Sequence, residues 1–305
     1  SNPNFEAKDY LFSYTSLLTP PSVLQFNTQS GNIKSLKEKE VPTYNKDLYK
    51  TERIFAIAHD GKKVPISLLY RKDIQLDGSH PLYQYGYGSY SASIPPSFRS
   101  NIISLVDRGF VFALCHIRGS STMGREWYED GKLLKKKNTF LDFNSCSEYL
   151  IKRGYTSKGM IASCGGSAGG LLMGATVNLQ PDLFKTVSAH VPFVDVVNTM
   201  LDDSLPLTTI EYDEWGNPNE KKYFDYIRSY SPYDNVEQKN YPHMFVTCGL
   251  NDPRVTYWEP SKWVAKLREY KTDSNIIVLK TNMEAGHFGK SGRYQSLKED
   301  AEEYA

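Results

Sequence analysis

The sequence predicts an α/β fold with a mostly parallel central sheet and helices on both faces, and three observations lead to it. From residue 51 onward, short apolar segments alternate with segments whose apolar residues recur at helical spacing. The apolar segments are continuous, as in parallel strands that are buried on both faces. The chain of 305 residues is long enough for one large α/β domain or two small ones.

The first regular element of this fold is a hairpin. The segments ERIFAIA and VPISLLY flank His59-Asp60-Gly61, a turn sequence that typically joins antiparallel strands. Six further strands are predicted at PLYQYGYG, FVFALCHI, GMIASCG, TVSAHVPF, HMFVTCGL and NIIVLKT. The predicted helices between them include residues 98–108, 139–153, 168–179 and 257–270, and this alternation favours a parallel sheet.

Residues 1–50 follow a different pattern. The segment LFSYTSLLTPPSVLQFNTQSG predicts a short strand pair with proline-rich punctuation, and SLKEKEVPTYN predicts an exposed connector. We therefore divide the chain into residues 1–50 and a main domain of residues 51–305.

Composition narrows the range of functions. The formal net charge of +1 gives no reason to expect a nucleic acid or a membrane surface as partner, and no apolar run approaches the length of a transmembrane helix. The cysteines Cys115, Cys146, Cys164 and Cys248 lack C-x-x-C spacing, which argues against a zinc site and against a disulfide framework. We expect free thiols, a cytoplasmic location, and neither a metal nor an organic cofactor.

A candidate nucleophile lies in Gly165-Gly166-Ser167-Ala168-Gly169, a G-x-S-x-G sequence between a predicted strand and a predicted helix. That context is typical of a nucleophile elbow, in which the turn exposes the serine hydroxyl. The glycines allow backbone to pack against backbone, and the start of the helix offers unpaired N–H groups to a developing oxyanion. A glycine-rich turn with a passive serine is the alternative, but the agreement of strand, turn and helix favours a nucleophile.

A nucleophilic serine needs a base and a group that orients the base, in the chain order serine, acid, histidine. Of the six histidines, only His287 lies late in the chain within a loop, after the last predicted strand. Asp252 follows the preceding strand HMFVTCGL and is the candidate acid. Asp252 alone could equally form an Asx turn or a helix cap. The order of the three sites on successive loops favours the catalytic interpretation.

Long stretches of the sequence resemble the prolyl oligopeptidase family of serine peptidases, and most closely its oligopeptidase B branch. The resemblance runs from about Phe12 to the C-terminus. It rests on YGYGSYSASI, HIRGSSTMGREWYEDGKLLKKKNTFLDF, GGSAGGLLMG, PDLFKTVSAHVPFVDVV, SLPLTTIEYDEWGNP, SYSPYDNV, YWEPSKWVAKLRE and AGHFGKSGR. The resemblance implies an α/β-hydrolase fold.

The resemblance also implies roles for the catalytic residues. Ser167 is expected to be the nucleophile, Asp252 the orienting acid and His287 the general base. The oxyanion hole is expected to combine the backbone N–H of Ala168 with the hydroxyl of Tyr87. Without the resemblance, Tyr87 would be interpreted as a tyrosine packed at the end of a strand.

Substrate recognition is implied by an acidic segment, TTIEYDEWG. In the oligopeptidase B branch the matching positions bind a P1 arginine or lysine, and here they are Glu211 and Asp213. A guanidinium donates paired, charge-assisted hydrogen bonds to carboxylates, which favours arginine strongly and lysine well. A solvated acidic loop is the alternative. Arg254 resembles an arginine of the prolyl branch that holds a substrate carbonyl.

The implied activity is therefore that of a serine oligopeptidase that cleaves short basic peptides after arginine or lysine. A prolyl-type oligopeptidase, a general esterase and a non-catalytic binding module remain alternatives. The family carries a seven-bladed propeller over its active site, and residues 1–50 are too few to form one. We expect residues 1–50 to be the end of a propeller and its connector, and residues 51–305 to be the peptidase catalytic domain.

Overall fold

The computed structural model describes residues 2–289, 292 and 294–305, so positions 290, 291 and 293 of the AGHFGKSGR stretch lie outside it. The strands of the described residues are β1 (Asp9–Tyr14), β2 (Ser22–Asn27), β3 (Ile33–Glu38), β4 (Tyr49–Ile57), β5 (Lys63–Arg71), β6 (Leu82–Tyr85), β7 (Val111–Cys115), β8 (Ile161–Gly166), β9 (Phe184–His190), β10 (His243–Gly249) and β11 (Ile277–Asn282). The α-helices are α1 (Ser100–Asp107), α2 (Arg125–Glu129), α3 (Lys137–Lys152), α4 (Ala168–Leu179), α5 (Val196–Leu201), α6 (Tyr212–Trp215), α7 (Lys221–Arg228), α8 (Trp258–Tyr270) and α9 (Gln295–Tyr304).

An eight-stranded sheet forms the centre of the molecule, in the order β11-β10-β9-β8-β6-β7-β5-β4. Strands β4 and β5 form the predicted antiparallel hairpin, and β5 is also antiparallel to β7. All other neighbours in this sheet are parallel. The prediction of a mostly parallel sheet is thus confirmed.

Both faces of the sheet are buried, which explains the continuous apolar strands. Successive residues of β5 enter different cores: Leu68 belongs to the core beneath α3, α4 and α8, and Leu69 to the core beneath α1. In β7, Ala113 belongs to the first of these cores and Leu114 to the second. A strand with two buried faces has no polar side to alternate, so helices on both faces follow from the sequence pattern.

The N-terminal segment differs from its prediction. It forms a separate three-stranded antiparallel sheet in the order β1-β2-β3, rather than a strand pair followed by a connector. Strand β3 overlaps the charged segment predicted to be a connector, and all six of its side chains are exposed. Pairing of its backbone with β2 forms the strand, so the side chains carry no burial pattern by which it could be predicted.

No helix within the described residues combines the length and the apolar character that crossing a membrane requires.

The order of the strands in the sheet indicates where a ligand is expected to bind. Chain order proceeds from β6 to its neighbour β7 on one side and then returns across β6 to β8 on the other. In α/β sheets, ligands bind where the order reverses in this way, beyond the carboxyl ends of the strands. The loops after β6, β8, β10 and β11 all emerge at this edge, and they carry Tyr87, Ser167, Asp252 and His287.

Candidate active site

Ser167 lies on a sharp turn between β8 and α4, as the G-x-S-x-G sequence predicts. Its backbone is at φ 57° and ψ −120°, a conformation that is uncommon for a residue with a side chain. Backbone hydrogen bonds to the neighbouring strand and the loop after it help to hold it there: the Ser167 N–H donates to His190 O at 2.9 Å, and the Phe193 N–H donates to Ser167 O at 3.1 Å. A Cβ on Gly165 would lie 2.2 Å from the carbonyl oxygen of Gly169, so this close approach requires glycine.

Asp252 and His287 are in direct contact. His287 Nδ1 lies 2.8 Å from Asp252 Oδ2, while Asp252 Oδ1 accepts hydrogen bonds from the backbone N–H groups of Arg254 at 2.8 Å and Val255 at 3.1 Å. Burial alone would raise the pKa of Asp252, but the hydrogen bonds from His287 and the two N–H groups bring it below its ordinary value. An ionised carboxylate can only accept, so Nδ1 carries the proton and Nε2 is free to act as a base.

Ser167 and His287 border two neighbouring cavities. Ser167 lines a cavity of about 310 Å³, and His287 lines a larger one of about 770 Å³ that reaches the elbow at Gly166. The hydrogen bonds of the described residues do not include one between the Ser167 hydroxyl and the His287 imidazole. Such catalytic hydrogen bonds are often long without substrate and shorten in the complex.

Tyr87 and Ala168 lie on either side of the elbow. Ala168 is the first residue of α4, where an N–H has no partner within the helix. The Tyr87 ring packs over the elbow so closely that a Cβ on Gly169 would lie 3.3 Å from its Cδ2 atom. Burial, with smaller effects from nearby carboxylates, raises the pKa of Tyr87 to about 12, so its hydroxyl remains a donor at neutral pH.

Glu211 shares the smaller cavity with Ser167, Tyr87 and Arg254. The half-buried Glu211 carboxylate accepts a hydrogen bond from Trp215 Nε1 at 2.8 Å and makes no ion pair within the described part of the chain. Burial raises its pKa above the ordinary range, against the lowering effect of hydrogen bonds from Trp215 and Tyr90. A carboxylate that makes no ion pair at bonding distance within the described residues therefore lines the cavity beside the candidate nucleophile, with Arg254 as the cation of the same cavity.

The structure separates Asp213 from this cavity. Asp213 is exposed in helix α6 and is not among the residues that line the cavity with Ser167. Arg254 does line it, and its guanidinium lies 5.0 Å from the centre of the Phe288 ring in the histidine loop. Of the two acidic residues predicted to bind substrate, the geometry therefore places only Glu211 beside Ser167.

Two functional residues that the sequence does not indicate are Lys136 and Glu214. They contact residues 88–90 of the loop that follows β6 and carries Tyr87, called the Tyr87 loop below. In the run Lys135-Lys136-Lys137, which predicts a solvated turn, Lys136 is 1% exposed. Its Nζ donates to Gly88 O at 2.6 Å and to Ser89 Oγ at 2.8 Å, and it lies 4.0 Å from the Glu214 carboxylate. Burial lowers the pKa of Lys136 to about 8, opposed by Glu214. The only signal in the sequence is that position 136 shares a helical face with Phe140 and Phe143.

Glu214 fixes the same loop from a second direction. Its carboxylate accepts a hydrogen bond from the Tyr90 N–H at 3.0 Å and another from the Tyr128 hydroxyl at 2.7 Å. Tyr90 has a positive φ of 57°, so this hydrogen bond stabilises a strained position next to the cavity. Lys136 and Glu214 together hold the backbone from which Tyr87 projects.

Comparison with known proteins is consistent with this geometry. The sequence model that describes the prolyl oligopeptidase family matches residues 96–305 of this chain. The chain is similar to dipeptidyl aminopeptidase BI of Pseudoxanthomonas mexicana, with 54% identity over 100% of this chain and 42% of that protein. It is similar to protease 2 of Moraxella lacunata, with 50% identity over 100% of this chain and 44% of that protein.

Among solved structures, oligopeptidase B from Leishmania major superimposes with a TM-score of 0.92 at 50% identity. The match covers 98% of this chain and 42% of that one. The chain thus spans about two fifths of the length of these relatives. The expectation of an α/β-hydrolase fold is confirmed.

Proposed function

The chain belongs to the prolyl oligopeptidase family, and on that basis we propose that it is the catalytic part of a serine oligopeptidase that cleaves short peptides after arginine or lysine. The observation that carries the specificity is the half-buried Glu211 carboxylate, which lines the same cavity as Ser167. The relatives named protease 2 and oligopeptidase B support the assignment to peptidases.

In the proposed mechanism, Ser167 attacks the scissile carbonyl while His287 Nε2 takes the hydroxyl proton. Asp252 holds the imidazole in the tautomer with Nδ1 protonated and stabilises the imidazolium that forms. The Ala168 N–H and the Tyr87 hydroxyl donate to the oxyanion of the tetrahedral intermediate. His287 then protonates the leaving amine, and a water activated in the same way hydrolyses the acyl-enzyme.

The P1 side chain is proposed to enter the cavity beside Ser167 and meet Glu211. A guanidinium placed there would form charge-assisted hydrogen bonds with a carboxylate that burial has already partly desolvated. Arg254 is proposed to hold a substrate carbonyl at the mouth of the same cavity. Asp213 is proposed to contribute through its charge, and less than Glu211, since it is exposed.

Residues 1–50 are proposed to be the end of a propeller and its connector, and residues 51–305 the catalytic domain. The share of each relative that the chain spans, about two fifths, supports a further domain in the whole protein. So does the small sheet β1-β2-β3, which leaves Leu11, Ile33 and Leu36 exposed. Four buried free cysteines support a cytoplasmic location.

Glu211→Gln tests the specificity. In the protein that carries this chain, we expect kcat/KM for a blocked arginyl aminocoumarin peptide to fall about 10²-fold, because a buried charge pair loses one partner. The ratio of arginyl to prolyl cleavage should fall with it. Asp213→Asn is the matched variant, and we expect a loss below about tenfold because its charge is screened by solvent.

Steady-state kinetics on arginyl, lysyl and prolyl substrates, with Ser167→Ala as the blank, distinguish the alternatives. A prolyl substrate preferred by the wild type would move the protein to the prolyl branch. Hydrolysis of neutral esters without competition from benzamidine would indicate a general esterase. An unchanged arginine preference in Glu211→Gln would exclude Glu211 from the P1 pocket.

A second candidate is release of dipeptides from the N-terminus, favoured by the 54% identity to the enzyme named dipeptidyl aminopeptidase BI. The same assay separates it from endopeptidase action. A dipeptidyl aminopeptidase cleaves the free-amino arginyl dipeptide substrate and rejects its blocked form, whereas the proposed oligopeptidase cleaves the blocked form.

A further inference from the structure

Three side chains that bind metals well meet in the larger cavity, the one that His287 also lines. Cys164 lies on β8, His190 ends β9, and Glu303 lies on the C-terminal helix α9. One donor atom from each residue, a thiol sulfur, an imidazole nitrogen and a carboxylate oxygen, lies within 4.8 Å of the other two. Among the described residues, this is the one group of three or more histidine, cysteine, aspartate or glutamate side chains that could hold a metal ion.

The sheet register brings the first two together. Gly166 pairs with His190 and Cys164 with Ser188, so Cys164 and His190 are two residues apart on adjacent strands and share a face. Helix α9 then supplies Glu303, whose carboxylate lies 3.1 Å from His190 Nε2. Because the three residues come from three separate elements, the lack of C-x-x-C spacing in the sequence does not exclude this arrangement.

Each ligand is oriented by a further hydrogen bond or by the sheet. His190 Nδ1 lies 3.0 Å from the Thr247 hydroxyl, so that Nε2 is directed toward the other two residues. The Tyr83 hydroxyl donates to Glu303 Oε1 at 2.7 Å. Hydrogen bonds to the far side of a histidine and of a carboxylate are the arrangement that orients ligands in protein metal sites.

The cluster is shielded and yet accessible. Cys164 is 7% exposed, and it lines the cavity of about 770 Å³ together with His190 and Glu303. Zinc ligands lie about 2.0–2.3 Å from the ion, which places the donor atoms of a tetrahedral site about 3–4 Å apart. Small rotations of side chains that already lie within 4.8 Å would reach that spacing.

We propose that Cys164, His190 and Glu303 form a site for Zn²⁺ or another divalent ion that prefers sulfur and nitrogen ligands, with water in the fourth position. Binding replaces the direct His190–Glu303 hydrogen bond by two metal–ligand bonds. The Cys164 thiol becomes a thiolate, and its proton leaves through the cavity to solvent. Because the thiol must lose its proton to bind the ion, affinity rises with pH.

The site is coupled to the catalytic elbow through the backbone. The carbonyl of His190 accepts the Ser167 N–H, and Cys164 is three residues before Ser167 on the same strand. An ion that draws Cys164 and His190 together therefore acts on the two strands that hold the nucleophile.

Titration of the whole protein with Co²⁺, followed by absorption spectroscopy, tests the site independently of peptidase activity. We expect one ion per chain, a thiolate-to-cobalt band in the near ultraviolet, and visible bands of tetrahedral intensity that Zn²⁺ abolishes by displacement. Cys164→Ser should remove the near-ultraviolet band. Glu303→Gln should keep that band and weaken binding at least about tenfold.

Cys248→Ser is the matched control, since Cys248 is a buried cysteine that lines the same cavity but lies outside the cluster. It should bind Co²⁺ like the wild type, and thermal unfolding of each variant shows whether it is folded. Absence of the thiolate band at millimolar Co²⁺ would overturn the proposal, as would the same band in folded Cys164→Ser. Failure of Ser167 to react would count against the proposed function alone, because the cobalt spectrum does not depend on it.

Discussion

Replacement of Asp252 by asparagine is expected to lower kcat by about 10⁴-fold while leaving the protein folded. The reason lies in the hydrogen bonds of the two carboxylate oxygens. Oδ1 accepts from the N–H groups of Arg254 and Val255, so in the variant the amide oxygen must occupy this position. The NH₂ group then faces His287 Nδ1 and can only donate to it. His287 is forced into the tautomer with Nε2 protonated, which cannot take the proton of Ser167.

The measurement is kcat for a blocked arginyl aminocoumarin peptide, with thermal unfolding as the check on folding. Asp203→Asn is the control, because it removes the same charge from an exposed position. It should retain the wild-type rate. A loss smaller than about tenfold in Asp252→Asn would show that another group orients the base.

Replacement of Tyr87 by phenylalanine is expected to lower kcat about 10²–10³-fold with little change in KM, because the oxyanion loses one of its two donors. The ring that packs over Gly169 remains, so the elbow keeps its shape. The pKa of Tyr87 is raised to about 12, so the wild-type hydroxyl supplies its proton throughout the neutral range.

Tyr85→Phe is the matched control, since it removes a hydroxyl from the same strand end but lines the other cavity. It should leave kcat within about threefold of the wild type, because Tyr85 does not line the cavity of Ser167. An equal loss in both variants would indicate a general disturbance of the loop. No loss in Tyr87→Phe would mean that the oxyanion is stabilised by other donors.

The sequence predicts the parts of the site that depend on chain order and on local turns. Ser167 lies on its strand–turn–helix element, and Asp252 and His287 follow β10 and β11, because parallel strands bring their carboxyl ends to one edge. The contact between Asp252 and His287 follows from this placement. The fold class is also predictable, because strands that are buried on both faces are continuously apolar in the sequence.

Tertiary burial is what the sequence does not predict. Lys136 lies in a run of three lysines, and only the packing of α3 against the Tyr87 loop buries the middle one. Glu211 and Asp213 are both acidic residues of one short segment, and the start of helix α6 turns them to different surroundings. The cluster of Cys164, His190 and Glu303 depends on where α9 returns to the sheet, more than a hundred residues after His190.

The most direct test of the central claim, that Ser167 is an activated nucleophile, is labelling of the whole protein with a fluorophosphonate, followed by peptide mapping. Ser167 is expected to react stoichiometrically, while Ser167→Ala stays unlabelled and Asp252→Asn reacts far more slowly. A folded wild-type protein that takes up no label, or a label that persists in Ser167→Ala, would contradict it.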